Sequence, residues 1–288
     1  MENNVKLPRM TDVSVVILVG NEELHIKRCL DKLAPLEPRQ VFIIESQNGD
    51  RTHEIVGEWA ESISPVLMSV VSVWHDWPGN QAAQFNWALD NLPIKASWIL
   101  RLDADEYLYA DTIEELRALL PKYDNGKIVN GALPSDVTSL SLLRTRRIFG
   151  GNIRYGNPEI ELVRVFKEGY GRSTGAEMDE HIVTSEGRNV KLNGRFVDDS
   201  LLPFEEWRAK HRDYAKREAK MAIDGCANKN KRLYYMLPPF FRAFVYFCVR
   251  YFLMLGFLDG LAGWRWHFWQ GLWYRCLVDY EIGRLKRV

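Results

Sequence analysis

Val13-Ser-Val-Val-Ile-Leu-Val19 is a nearly unbroken apolar run rich in β-branched residues, the pattern of a strand buried on both faces. It stops at Gly20-Asn21-Glu22-Glu23. Ile26, Leu30 and Leu33 then recur at helical spacing within His25 to Leu36, and Pro35 and Pro38 close that segment. Val41-Phe-Ile-Ile44 predicts a second buried strand, followed by the turn-rich Ser46-Gln-Asn-Gly-Asp50. The pattern continues with a helix over 52–62, a strand near 66–74, a helix over 81–92 and a strand over 96–102. Strands alternating with helices at this spacing predict an α/β fold with a doubly wound, mostly parallel sheet. Ligands in such sheets sit beyond the C-terminal ends of the strands. Polar residues placed directly after strands are therefore the first candidates: Asn21/Glu22, Glu45/Ser46 and Asp103/Asp105.

The pattern changes from Asn130. Several glycines and the basic Arg144-Thr-Arg-Arg147 precede an alternating, strand-like Ile160 to Phe166. A periodic helix is predicted over 204–225, with Trp207, His211, Tyr214, Glu218 and Met221 along one side. No repeat or low-complexity linker interrupts the chain, so the expected organisation is a catalytic domain over 1–202 and a C-terminal helical, aromatic-rich extension over 203–288.

Composition sharpens this division. The 288 residues are 47% hydrophobic and 26% charged with formal net charge +0, which excludes disorder and a general nucleic-acid binder. That zero is uneven. Between Pro203 and Val288, 16 Lys/Arg stand against 8 Asp/Glu, leaving +8 there and −8 elsewhere. Tyr234 to Tyr280 holds 17 of the 35 aromatic residues. Charge-free stretches here, such as Leu233 to Phe241 and Tyr251 to Leu258, are shorter than the ~18–20 residues that cross a bilayer. With Arg242, Arg250, Arg265 and Arg275 between them, these segments read as helices lying in a membrane interface, guanidinium groups on lipid phosphates. A buried helical hairpin or a dimer interface is the other reading. Cys29, Cys226, Cys248 and Cys276 lack metal-site spacing and read as reduced cytosolic thiols. The polar start, Met1 to Thr11, shows no secretory signal.

Arg101-Leu-Asp103-Ala-Asp105-Glu106 carries the sharpest chemistry. Two carboxylates at i and i+2 after a buried strand can both reach one divalent cation, and Mg²⁺ or Mn²⁺ suits such oxygen ligands. The plainer reading is an acidic loop solvating a strand end. In Glu177-Met-Asp179-Glu180-His181, a carboxylate could take a proton from an attacking hydroxyl and the histidine could add a metal ligand, unless the segment is simply a solvated loop. Trp77-Pro-Gly-Asn-Gln81, Gln84 and Asn86 set amides and an aromatic ring beside a glycine turn, suiting sugar hydroxyls or a helix cap. Arg144, Arg146 and Arg147 either clamp phosphate or solvate a basic turn. Glycine-rich dinucleotide and phosphate loops, the serine-hydrolase elbow and H-E-x-x-H are all missing from the chain.

Taken in order, these segments resemble the bacterial family-2 glycosyltransferases of lipopolysaccharide-core and capsular polysaccharide assembly. The likeness rests on Val15 to Glu23, Ile43 to Ser46, His75-Asp-Trp77-Pro78-Gly79, Gln84-Phe-Asn86 and Trp98 to Glu106. It continues in Arg146-Arg147, Leu162 to Phe166, Asp179-Glu180-His181 and Tyr251 to Gly260. The resemblance implies a GT-A fold, a nucleotide-diphosphate sugar donor (a UDP-sugar foremost), Mn²⁺ or Mg²⁺, and inverting hexosyl transfer. It implies donor binding by Glu22, Glu45, Gln84, Asp103 and Arg147, metal binding by Asp103, Asp105 and His181, and a base at Asp179 or Glu180. The expected acceptor is a glycan, or lipid-linked glycan, reached from the cytoplasm at the inner face of the cytoplasmic membrane. A sugar-phosphate nucleotidyltransferase and a non-catalytic membrane-associated scaffold are the rivals. Against the first, acidic Glu22 and Glu23 occupy the place where a triphosphate would want a basic or glycine-rich loop.

Overall fold

The computed structural model describes residues 9–47, 49–63, 68–156, 159–174, 181–223, 234 and 236–287. The chain divides into two units, Met1–Arg144 with Glu159–Asp198, and Thr145–Pro158 with Asp199–Val288.

In the first unit, β1 (Met10–Val19), β2 (Pro38–Glu45), β3 (Ser69–Trp74) and β4 (Trp98–Asp103) form the parallel part of the sheet in the order β3-β2-β1-β4. Between them run α1 (Ile26–Leu33), α2 (Thr52–Ser62) and α3 (Gln81–Asn91). Alternate residues of the apolar runs face opposite layers. Val15, Ile17, Val41, Ile43 and Leu100 pack with Leu30, Val56 and Trp59. Val16, Leu18, Phe42 and Ile44 pack with Phe85 and Ala88 of α3. Both faces are covered, which is why these strands read as continuous apolar runs.

After β4 the chain turns through Ala104 and Asp105 into β5 (Glu106–Leu108) and α4 (Ala110–Leu119). The hairpin β6 (Lys122–Asp124) and β7 (Lys127–Val129) follows, with β6 pairing β1. The remaining long strands add antiparallel pairing, so the sheet continues β4-β10-β8-β13-β5 through β8 (Val137–Ile148), β10 (Glu161–Lys167) and β13 (Arg188–Asp199). The end of β8 pairs with β9 (Gly151–Ile153), while β11 (Gly171–Ser173) and β12 (Ile182–Thr184) make a separate two-stranded ladder.

In the second unit, α5 (Phe204–Ile223) packs on α8 (Tyr274–Leu285) through Ala215, Ala219, Val278 and Ile282. Between them lie α6 (Phe241–Cys248), which runs on through a π-type turn at Val249–Leu253, and α7 (Gly260–Trp266), which runs on through another at His267–Trp273. No single helix among the described residues is long and apolar enough to cross a membrane.

Here the interfacial reading of the arginines is corrected. Arg242 is buried on Asp279, whose other carboxylate oxygen accepts the Phe240 N–H at 2.7 Å. Arg250 is buried and donates to the Gly156 carbonyl and the Tyr246 hydroxyl. Arg275 pairs with Glu218 at 2.7 Å, and Glu218 also accepts from the Tyr274 hydroxyl. A buried guanidinium needs a fixed partner. These three have internal ones and are not disposed on lipid phosphates; Arg265 alone of the four is exposed.

Residues 154–156 bracket this helical region. The N–H groups of Arg154 and Tyr155 both donate to Asp259 at 2.9 Å, and the Gly156 N–H donates to the Met254 carbonyl at 2.9 Å. Gly156 has φ +68°, and a Cβ there would stand 2.4 Å from the buried His267 ring. Gly150, at φ +81°, has open space around it. Gly156→Ala is expected to lose about 2–3 kcal/mol of stability, and Gly150→Ala only the backbone cost of about 1 kcal/mol. Urea denaturation of the two variants side by side tests this; equal losses would show that the His267 contact is slack.

Candidate active site

The loops after β1 and β2 are laced together at the carboxyl edge of the parallel strands. The Glu22 N–H donates to Thr52 Oγ1 at 2.8 Å, Glu23 N–H to Asp50 at 3.0 Å, and Gly49 N–H to Asn21 Oδ1 at 2.9 Å. This brings Glu22 to the sheet edge, its carboxylate 2.6 Å from His25 Nδ1. Glu45 closes β2 and is buried, accepting from the Ser72 hydroxyl and lying 3.0 Å from Nδ1 of the exposed His53. The expected donor-binding carboxylate thus already has two partners, and His53 is the group it presents outward. Gln84 is likewise committed: its Oε1 lies 2.6 Å from His75 Nδ1 and its Nε2 donates to the His75 carbonyl at 3.2 Å. It positions the His75 ring, which stacks on Trp87 at 3.7 Å. In the folded chain the Gln84 amide thus holds a neighbouring ring in place.

Asp103 ends β4, and Asp105 occupies the turn that follows. Burial disfavours ionisation of Asp103, but Arg101 (3.4 Å away) and Arg164 outweigh it and hold the carboxyl below its usual range. Asp105 is dominated instead by burial and neighbouring carboxylates. Burial, then Asp198, Asp103 and Glu22, push its carboxyl up to about 7, with His25 opposing weakly. Beneath this turn, buried Glu106 pairs with buried Arg164 and accepts the Asp103 N–H at 3.1 Å. Burial raises Glu106 well above the usual carboxylate range despite Arg164.

A third component arrives from β11. Asn86 grips the Ser173 backbone at both ends, carbonyl and N–H at 2.9 Å each, and Arg101 donates to the Ser173 hydroxyl at 3.2 Å. Thr174 N–H then donates to the His181 carbonyl at 2.9 Å. Both feet of segment 175–180 are therefore fastened next to the arginine that holds Asp103. Asp179 and Glu180, the expected bases, lie outside the described residues.

His181 itself is exposed at one of those feet, fixed through its backbone. Among the described residues no group of three His, Cys, Asp or Glu side chains is arranged to hold a metal, so the expected trio Asp103, Asp105 and His181 is not assembled. The expected phosphate clamp Arg147 belongs to the second unit, where its guanidinium lies 3.8 Å from Asp199. Asp198 and His53 carry no signal in the sequence, whereas His75 and Arg164 lie within segments that carry the family resemblance. Arg164 had left a trace, being a lone cation between apolar residues of a buried strand.

Asp103 and Asp105 still fit a hard divalent cation. Both are oxygen donors in one short turn, and the further carboxylates that act on Asp105, those of Asp198 and Glu22, favour a cation there.

A family model described as Glycosyl transferase family 2 matches residues 14–170. No curated protein is matched. Among solved structures, a Pyrobaculum calidifontis mannosyltransferase in complex with GDP-Man and Mn²⁺ is 16% identical over 97% of this chain and 76% of its own, with TM-score 0.46. S. aureus TarS 1-349 in complex with UDP-GlcNAc is 12% identical over 96% of this chain and 91% of its own, with TM-score 0.42. Another alignment, to TarS 1-349 in complex with UDP, is 22% identical but spans 36% of this chain and 30% of that one, with TM-score 0.29.

Proposed function

The chain belongs to glycosyl transferase family 2, and from that premise we propose that it is a metal-dependent, inverting hexosyltransferase. Its donor is a nucleotide-diphosphate sugar, a UDP-sugar foremost, and its acceptor a hydroxyl of a lipid-linked glycan in cell-surface polysaccharide synthesis. The carrying observation is the Asp103–Asp105 turn, where Asp105 stands against burial, Asp198, Asp103 and Glu22 at once.

In this reading Glu22 and the Glu45–His53 pair flank the nucleoside. Asp103 and Asp105 would hold Mn²⁺ or Mg²⁺, which when bound would supply positive charge to offset that of the departing diphosphate. Arg101 keeps Asp103 ionised and anchors the segment that carries Asp179 and Glu180. One of those carboxylates accepts the proton of the acceptor hydroxyl as its oxygen bonds to the anomeric carbon. The bond from that carbon to the phosphate oxygen breaks on the opposite face, its electron pair leaving with the nucleotide, and the anomeric centre inverts. Apolar side chains exposed on the second unit, Phe244, Leu253 and Leu261 among them, support a position at the inner face of the cytoplasmic membrane, where such an acceptor is found.

Thermal unfolding in the presence of UDP, GDP and their sugars, with and without Mn²⁺, tests the donor assignment. A ligand at a hundred times its Kd stabilises by about 2.7 kcal/mol, and the shift is expected only with the cation. No shift with any nucleotide diphosphate beside Mn²⁺ or Mg²⁺ removes the assignment. Pyrophosphate release from a nucleoside triphosphate and a sugar phosphate would replace it with nucleotidyl transfer.

A further inference from the structure

The second unit contains a turn with an unusual combination of properties. Phe252-Leu253-Met254-Leu255-Gly256-Phe257-Leu258 has no polar side chain, and every residue but Gly256 is exposed, Leu253 to 76%. The exposed apolar surface continues up both limbs, through Phe241 and Phe244 on one and Leu261 and Trp264 on the other. Helical segments Phe241–Leu253 and Gly256–Leu285 meet at this turn with a bend of 72°.

The backbone is arranged accordingly. At the turn Met254 N–H donates to Val249 O at 2.8 Å, Leu255 N–H to Phe252 O at 3.3 Å and Leu258 N–H to Leu255 O at 2.9 Å. The Met254 carbonyl accepts from Gly156, and the Gly260 N–H donates to the Phe257 carbonyl. Such internal pairing is what a segment needs where no water can reach it. Arg250, the cation closest in sequence to the turn, is folded inward on Gly156 and Tyr246. Leu255 also sits at φ +60°, a conformation that Gly or Asn adopts more easily. A large apolar side chain occupies this position although the backbone would favour Gly or Asn.

We infer that residues 252–258 enter the acyl region of one bilayer leaflet and return without crossing. This rests on the reading that the enzyme works at a membrane, and it specifies the means. The segment Phe241–Leu253, at 1.5 Å per residue, is about 20 Å long. That is enough to reach into one leaflet of a hydrocarbon core ~30 Å thick, and too short to span it. A second copy of the chain fits the surface less well. Protein interfaces carry roughly one hydrogen bond per 100–200 Å² and a polar rim, whereas this turn offers no side-chain donor or acceptor. Attachment is therefore apolar rather than electrostatic.

Flotation of the full chain with phosphatidylcholine vesicles, and with vesicles also containing phosphatidylglycerol, separates the outcomes. Wild type is expected to float with both, its partition changing less than about twofold at a salt concentration where the Debye length is only a few ångström. Leu253→Glu should lower partition at least about tenfold. Leu255→Asn should lower it severalfold while the melting temperature stays equal or rises, a combination that a merely structural role for this residue does not produce. Wild type that floats with neither vesicle overturns the membrane reading itself. Wild type that floats while both variants float equally, or that is released by salt, overturns insertion of the turn and leaves adsorption by another surface. Variants that convert a sedimenting dimer to monomer, with no lipid binding by wild type, assign the face to a second copy.

Discussion

Asp105→Asn is expected to lower sugar transfer at least about a hundredfold in kcat while raising the melting temperature of the metal-free protein at pH 8. The first effect follows because removing a preorganised electrostatic contact to a developing charge costs about 10²–10³ in rate, and in the proposed mechanism Asp105 would hold the cation that supplies that contact. The second follows from linkage. The Asp105 carboxyl is pushed up to about 7 in the folded chain by burial and by Asp198, Asp103 and Glu22, above an ordinary value near 4. The fold binds that proton more tightly than the unfolded chain does. Its stabilising contribution is complete below pH ~4 and is lost as pH rises through about 7. At pH 8 wild type therefore carries a repulsion that the amide removes, with an expected gain of roughly 2–4 °C per kcal/mol. Turnover assays with saturating Mn²⁺ and calorimetry in chelator measure the two effects. Near-wild-type turnover sinks the catalytic assignment; an unchanged melting temperature at pH 8 shows that Asp105 is well solvated.

Arg164→Leu is expected to be the most damaging single substitution for the fold of the first unit. Arg164 and Glu106 are both buried, paired with each other, and the guanidinium also lies over the Phe196 ring at 4.6 Å. Deleting one member of a buried pair leaves the other uncompensated, at about 3–5 kcal/mol. The loss should grow as pH rises, because the stranded Glu106 carboxyl can be accommodated only by taking up a proton. Arg164→Leu combined with Glu106→Gln should recover part of it, since the amide carries no charge and still accepts the Asp103 N–H. Denaturant titration of the single and double variants across pH is the measurement. A single-variant loss under about 1 kcal/mol, independent of pH, would mean that water reaches Glu106 and that the pair does not brace the aspartate turn.

Much of the first unit was legible along the chain because its determinants are local. Val13 to Val19 and Val41 to Ile44 are buried on both faces, so apolar continuity reports them directly. Asp103 and Asp105 follow directly on the apolar run of β4, so their place at a strand end is readable from adjacent residues. The strands after β7 were harder to read. β8, β10 and β13 pair antiparallel with partners far apart in sequence, and nothing local specifies which strands meet.

Side-chain commitments were the least legible part. The residues that Glu45 and Gln84 bond inside the protein, His53, Ser72 and His75, are set by the fold and not by their sequence neighbours. Arg242, Arg250 and Arg275, spaced between aromatic segments, looked like headgroup anchors until their partners Asp279, Gly156 and Glu218 came from 37, 94 and 57 residues away.

The sequence by itself determined that a doubly wound sheet presents carboxylates at its edge and that the chain ends in aromatic helices, since hydrophobic periodicity and strand-end position are properties of adjacent residues. Tertiary structure alone decided which of those charged groups stay available for ligands. A charge that leaves water must find a counter-charge or hydrogen-bond partner, and that partner is chosen by folding, not by proximity along the chain.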